Sequence, residues 1–190
     1  MKHSKRKTEI YEAAIQLFRA KGYAAASMRD IAEAVGIEAS SLYSHIKSKE
    51  DILRDICVRC SKMFDEGMSE VLSSDESRLQ KIRSLVHLHI HIATNYPGSV
   101  TVFNDEWKHL PEEAKEPFIA SRRAYESNFR TLLREGMEAG EFTPRSTKVV
   151  FNILINSTKW LHHYPRKLAD TEITKFEKDI IAFVEAGLLN

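Results

Sequence analysis

The chain has 190 residues, 43% of them apolar and 29% charged, with 28 Lys/Arg against 27 Asp/Glu. Such a composition belongs to an ordinary globular protein, long enough to fold without metals or disulfides. It excludes a membrane-spanning chain, because charges or histidines interrupt every apolar run before the ~18 residues that a span requires.

The charge is unevenly placed. The first fifty residues hold nine Lys/Arg against six Asp/Glu and the remainder nineteen against twenty-one, so the positive excess sits in "KHSKRK" near the N-terminus. That run reads as a phosphate-seeking arm or as a solvated terminus. The only cysteines are Cys57 and Cys60, and "MKHSKRKTEIYEAAIQLF" lacks the apolar stretch and cleavage site of a secretory leader. The expected compartment is a reducing cytoplasm.

Helical periodicity runs through nearly the whole sequence, and the expected fold class is all-α. Ile10, Ala13, Ala14, Leu17 and Phe18 make the stripe of a first helix, which Lys21 and Gly22 close. Ser27 and Asp30 form a capping pattern that opens a very short second helix, and Gly36 supplies the left-handed residue after Val35. A third short helix lies in "SSLYSHI". Ser48 and Asp51 open a fourth, running to about Leu72.

Arg78 to Asn95 forms the next helix, closed by "NYPG". Its "LVHLHIHIAT" alternates like a strand but has no turn residues around it, so the helix is preferred. Ser99 to about His109 follows, and Pro111 suits the first position of a long helix reaching "EAGEF". Thr143 and Pro144 open the next helix, with Phe151, Leu154, Ile155 and Thr158 on one side. Asp170 caps the last, whose stripe is Ile173, Phe176, Ile180, Ile181, Phe183, Val184 and Leu188.

The second and third helices, joined by a tight glycine-containing turn, form a helix-turn-helix. Ile31, Val35, Ile37 and Leu42 face one core, and Ala32 is small enough to let the two helices cross. In such a unit the N-terminal residues of the second helix meet base edges in the major groove. Ala39, Ser40 and Ser41 are small enough for close approach, and Tyr43 and His45 carry hydrogen-bonding tips. Ser27 begins the DNA-reading segment. Lys47 and Lys49 bracket the start of the fourth helix, where free backbone N–H groups favour an anion, and so suggest a phosphate clamp.

The run "SMRDIAEAVGIEASSLYSHIKSKEDIL" resembles the signature of the TetR family of bacterial transcriptional regulators, over residues 8 to 55. The resemblance implies a three-helix DNA-binding domain at 1–48 and a larger helical ligand-binding and dimerisation domain at 49–190. It places DNA-contacting roles on Arg29, Ala39, Ser40, Ser41, Tyr43, His45 and Lys49. Ile46 stands where many members have phenylalanine, and Ala39 and Ser40 stand where others carry larger side chains, which leaves the operator sequence open.

Farther on, "NDEWKHLPEEAKEPFIASRRAYESNFRTLLREGMEAGEF" is similar to the branch of the family that answers to fatty-acyl-CoA, steroid-CoA or related thioesters. In "WLHHYPRK" His163 replaces that branch's tryptophan, with Trp160 one turn earlier. Phe103, Trp107, Tyr125, Phe129, Trp160, His163 and Tyr164 are the candidate pocket residues, though these aromatics would serve equally as core. Arg122, Arg123 and Arg130 could receive CoA phosphates, while pairing of Arg122 and Arg123 with Glu126 is the plainer use.

The implied function is a homodimeric, ligand-responsive repressor that leaves a palindromic operator when a small amphiphile or acyl-CoA binds. The alternative within the family is an efflux repressor answering aromatic or cationic compounds, which would want carboxylates such as Asp105 and Glu106 beside an aromatic wall. The dimer is expected from about Thr143 to His163 and Asp170 to Leu189, through the stripe of the final helix.

Other classes fit less well. An enzyme would have to use Asp105 with Glu106, or Ser84 near His87, yet no nucleophile elbow, phosphate loop or metal motif is present. An adaptor that had lost DNA binding would be expected to lose Arg29, Tyr43 and Lys49, and all three stand. His87 and His91 have i, i+4 spacing and Cys57 and Cys60 have CxxC spacing, but neither pair has a second pair nearby in sequence, so no metal or cofactor is assigned.

Overall fold

The computed structural model describes residues 5–164 and 167–189. Among these residues there are nine α-helices and no strand: α1 Lys5–Lys21, α2 Met28–Ala34, α3 Ala39–Tyr43, α4 Lys49–Ser73, α5 Arg78–Asn95, α6 Pro97–Asp105, α7 Glu112–Glu138, α8 Thr147–Lys159 and α9 Asp170–Leu188. Short 3₁₀ turns cover Trp107–His109 and Trp160–His163. The chain divides into two compact units. One runs through Cys60 and takes in Gly98–Phe118; the other holds Ser61–Pro97 and the chain from Ile119 onward.

In the first unit α1 packs on α2 and α2 on α3. Ile10, Ala14 and Phe18 of α1 are buried, together with Ile31, Ala32, Leu42 and Ile46. Each large apolar side chain so buried contributes about 1.5–3 kcal/mol. The glycines at the two turns do what L side chains rarely can: Gly22 ends α1 at φ +80° and Gly36 joins α2 to α3 at φ +68°. Ile46, in the place where phenylalanine is common, is buried and completes this core.

The second unit is organised around α5, which packs against α8, α9 and the turn Trp160–His163. The strand-like alternation of "LVHLHIHIAT" is therefore helical. Leu85, Val86, Ile90 and Ala93 are buried, while His87 and His91 face outward. Phe129, Leu132 and Leu133 of α7 join the same core with Leu154, Val184 and Leu188. At the end of α7 a Cβ on Gly136 would run into the Phe142 ring. The absence of a side chain there lets Phe142 fold back into the core.

Five helix ends differ from the sequence expectation, each for a local reason. Pro97 rather than Ser99 starts α6, a position where proline's missing N–H costs nothing. That helix stops at Asp105, and the tighter turn Trp107–His109 precedes Leu110, held at ψ 142° as a residue before proline must be. Pro111 lies just outside α7, its carbonyl accepting from the N–H groups of Ala114 and Lys115 at 2.9 Å each.

α8 starts at Thr147, not at Thr143, because the Ser146 hydroxyl caps it and the Thr143 N–H is committed to the Leu188 carbonyl at 2.8 Å. Asp170 is the first residue of α9 rather than its cap. The cap is Ala169, whose N–H donates to the Glu172 carboxylate at 3.0 Å.

Candidate nucleic-acid interface and effector site

The helix-turn-helix is held by a small polar network at the entry to α2. Asp30 accepts from the Ser27 N–H at 2.7 Å and returns its own N–H to the Ser27 hydroxyl at 3.2 Å. The Lys21 ammonium lies 2.8 Å from the same carboxylate. Lys21 first, then the Ser27 hydroxyl and N–H, hold the Asp30 carboxyl well below the usual carboxylate range. Ser27 thus sits at a fixed corner while remaining exposed.

On α3 and its flanks Ser40, Ser41, His45 and Lys47 are exposed, and so is Arg29 on α2. Tyr43 is 53% exposed, unusual for a tyrosine with a core beneath it. Ala39 is half-buried. The inward residue is Leu42, fully buried, so the helix offers hydroxyls, an imidazole and a phenol on one outward surface. These groups can donate to phosphate oxygens or to base edges.

Lys49 behaves differently from Lys47. Its ammonium donates to the carbonyls of Tyr23 at 3.2 Å and Ala26 at 2.9 Å. It also lies 4.5 Å from the centre of the Tyr23 ring, a cation–π contact. Tyr23 in turn stacks on His109 at 5.2 Å and meets Phe18 edge-on at 5.1 Å. The spacing "KSK" suggested two equivalent clamp residues; the fold makes one a strut and leaves the other exposed.

The predicted pocket residues fall into separate groups. Phe103 and Trp107, in the first unit, both pack on Phe118, at 5.2 and 5.7 Å between ring centres. In the second unit Phe129 is core and meets Phe151 at 5.5 Å. Trp160 is 43% exposed and clusters with Tyr164 and Phe176, while exposed His163 lies 4.1 Å from the His162 ring.

Tyr125 borders an open cleft of about 530 Å³ between α4 and α7, lined also by Asp65, Met68, Leu72, Ser121 and Asn128. Behind it the Tyr125 hydroxyl is 2.8 Å from His89 Nε2, and Phe64 packs against both rings. Burial lowers the His89 pKa to about 4, so the imidazole is neutral, and burial followed by the Asp65 charge raises that of Tyr125. His89 and Phe64 were missed in the sequence. The only signal was a histidine on the apolar side of α5, whose partner lies 36 residues away.

Of the arginines, Arg130 pairs with Glu126 at 3.2 Å. Arg123 is exposed and Arg122 half-buried. Cys57 and Cys60 are both buried on α4, and burial first, then Cys57, pushes the Cys60 thiol up to about 12. A thiol that keeps its proton so firmly is a poor ligand and a poor nucleophile.

Residues 10–56 match the family model for bacterial regulatory proteins of the tetR family, and residues 75–164 match that for the tetracyclin repressor-like C-terminal domain. The chain belongs to the TetR family. This TetR-family protein is 26% identical over 157 residues to the HTH-type transcriptional repressor KstR2 of Mycolicibacterium smegmatis, a match covering 82% of this chain and 77% of that one.

Its fold matches the structure of the ketosteroid transcriptional regulator KstR2 of Mycobacterium tuberculosis with a TM-score of 0.91, at 20% identity, over 100% of this chain and 97% of that one. It also matches AibR, solved in complex with isovaleryl coenzyme A and operator DNA, with a TM-score of 0.80, at 20% identity, over 94% and 97%.

The TetR-family chain is accordingly a ligand-responsive, DNA-binding transcriptional regulator that acts as a dimer, and it is not an enzyme. Among the described residues no helix is long and apolar enough to cross a membrane.

Proposed function

We propose that this regulator reads a palindromic operator through residues 1–48, in the cytoplasm, and is released from it by an acyl-CoA thioester bound within residues 49–190. The exposed set Ser27, Arg29, Ser40, Ser41, Tyr43, His45 and Lys47 is the DNA-reading surface, with half-buried Ala39 allowing the start of α3 to approach the groove. Lys49 serves that surface by fixing the loop before α2 and keeps at most one donor for a phosphate.

The observation that carries the effector reading is the cleft beside Tyr125. Its volume is within the range of small-molecule sites, and its walls mix Met68 and Leu72 with the polar groups of Asp65, Ser121 and Asn128. Met68 and Leu72 belong to α4, an unbroken helix whose first residue is Lys49. An acyl chain entering between α4 and α7 would favour one setting of α4 over another. A ligand shifts such an equilibrium only by its difference in affinity for the two settings. Arg122 and Arg123 lie in sequence between the lining residues Ser121 and Ala124 and are the proposed partners of CoA phosphates. AibR, whose fold the chain shares, was solved with isovaleryl coenzyme A, a ligand of the proposed class.

The dimer face is proposed on the outer sides of α8 and α9. Val149, Ile153 and Phe183 are 56%, 51% and 68% exposed, large apolar side chains that a second copy would cover. Calorimetric titration with a chain-length series of acyl-CoAs, free CoA and planar cationic dyes tests the effector. Affinity should rise with chain length and be weak for free CoA. Binding of the dyes alone, with Asp65 as counter-charge, would transfer the chain to the efflux-type reading.

A further inference from the structure

The outward face of α5 carries an arrangement that neither DNA reading nor effector binding uses. His87 and His91 stand one turn apart, their rings 6.2 Å between centres and inclined by 29°. His87 Nδ1 is 2.8 Å from the Glu177 carboxylate of α9, and His91 Nδ1 accepts from the Asn95 Nδ2 amide at 3.3 Å. That contact puts the neutral His91 proton on Nε2, and a metal bound at Nε2 must replace it by moving this proton to Nδ1. Among the described residues neither Nε2 has a hydrogen-bond partner, and the His87 side chain is 61% exposed.

Both rings border an open cleft of about 630 Å³ between α4, α5 and α9. Three carboxylates, Glu70, Glu76 and Glu177, line it against a single guanidinium, Arg83, which is itself ion-paired with Glu185. The cleft therefore favours a cation.

We infer that His87 and His91 bind a borderline divalent transition-metal ion of the zinc, nickel or copper class through their Nε2 atoms, with Glu177 as the orienting partner. Imidazole suits these ions and not magnesium or calcium. Two histidines at i, i+4 on one helix face are a recurrent pair of ligands, and water fills the remaining positions. A carboxylate that accepts the Nδ1 proton fixes the tautomer that leaves the Nε2 lone pair to the metal, and raises its basicity. Glu177 already stands where such a partner must be. Exposed rings turn on the picosecond-to-nanosecond scale, so convergence on one ion needs no backbone movement.

The test is calorimetric titration of the full-length, tag-free His3→Ala protein, free of the copper- and nickel-chelating Met1-Lys2-His3 sequence, with Zn²⁺ and Ni²⁺, and with Mg²⁺ for contrast. It is joined by electron paramagnetic resonance of one equivalent of Cu²⁺. The expected result is one Zn²⁺ or Ni²⁺ per chain, no Mg²⁺ heat, and a copper signal with two coordinated nitrogens. His87→Ala and His91→Ala should each lose at least tenfold in affinity, and Glu177→Gln about 10–100-fold, the usual cost of an orienting partner. Variants that bind as tightly as the parent protein would overturn the assignment. So would a copper signal with fewer than two nitrogens, a readout that stands even if a variant folds poorly.

Discussion

The Lys49 ammonium donates to the Tyr23 carbonyl at 3.2 Å and lies 4.5 Å from the centre of the same residue's ring. With its second bond, to the Ala26 carbonyl, it closes the loop immediately before Ser27, the residue that caps α2. Removing it leaves two carbonyls without their charged donor. Lys49→Ala should cost about 1.5–3 kcal/mol of stability, the range for bonds to a charged group, and lower the melting temperature. Lys47→Ala should leave the melting temperature unchanged and reduce the salt slope of DNA binding by about 0.9, one phosphate contact. Equal melting temperatures for the two variants would remove the distinction between strut and clamp.

The stripe of α9 is divided between two surfaces. Val184 and Leu188 are buried, and Ile173, Phe176 and Ile180 pack against the same core, whereas Phe183 is 68% exposed. Phe183→Asp or Ile153→Asp should therefore give folded monomers in sedimentation that no longer hold operator. Ile180→Asp should destabilise the fold itself by placing an unpaired charge against a core. A dimeric Phe183→Asp protein would move the interface elsewhere.

His89 makes stability depend on pH. Burial lowers its folded-state pKa from the ordinary 6.5 to about 4, so between these values the unfolded chain binds the extra proton. The neutral ring's contribution is fully present above 6.5 and is lost as pH falls toward 4, at a slope of at most about 1.4 kcal/mol per pH unit. Urea denaturation at pH 7 and pH 5 should show that loss in the parent protein. His89→Phe should lose less between the two values; an equal loss would place the sensitive group elsewhere.

Much of the first unit is legible in the sequence because its signals are local. Ser27 with Asp30, Gly22 and Gly36 each act within a few residues, and each does in the structure what its spacing implies. The site beyond α4 is less legible because its partners are far apart in sequence. Tyr125 needs His89, Arg83 needs Glu185, and Gly136 is explained only when the Phe142 ring folds back over it. Lys49 shows the same limit at short range. Its charge and position beside a helix start suggest an anion site, and only the fold of residues 23–26 shows that two of its donors are already spent.

In the proposed function an acyl-CoA governs sequence-specific DNA binding by this chain. That control is tested most directly by selecting bound duplexes from a randomised pool and then titrating the recovered complex with acyl-CoAs of increasing chain length. The expected result is an enriched palindrome with half-sites about one helical turn apart or somewhat more, bound by the dimer. Its release should require less ligand as the chain lengthens, while free CoA has little effect. A folded protein that enriches no sequence, or a palindrome complex that acyl-CoAs at saturating concentration leave intact, would contradict it.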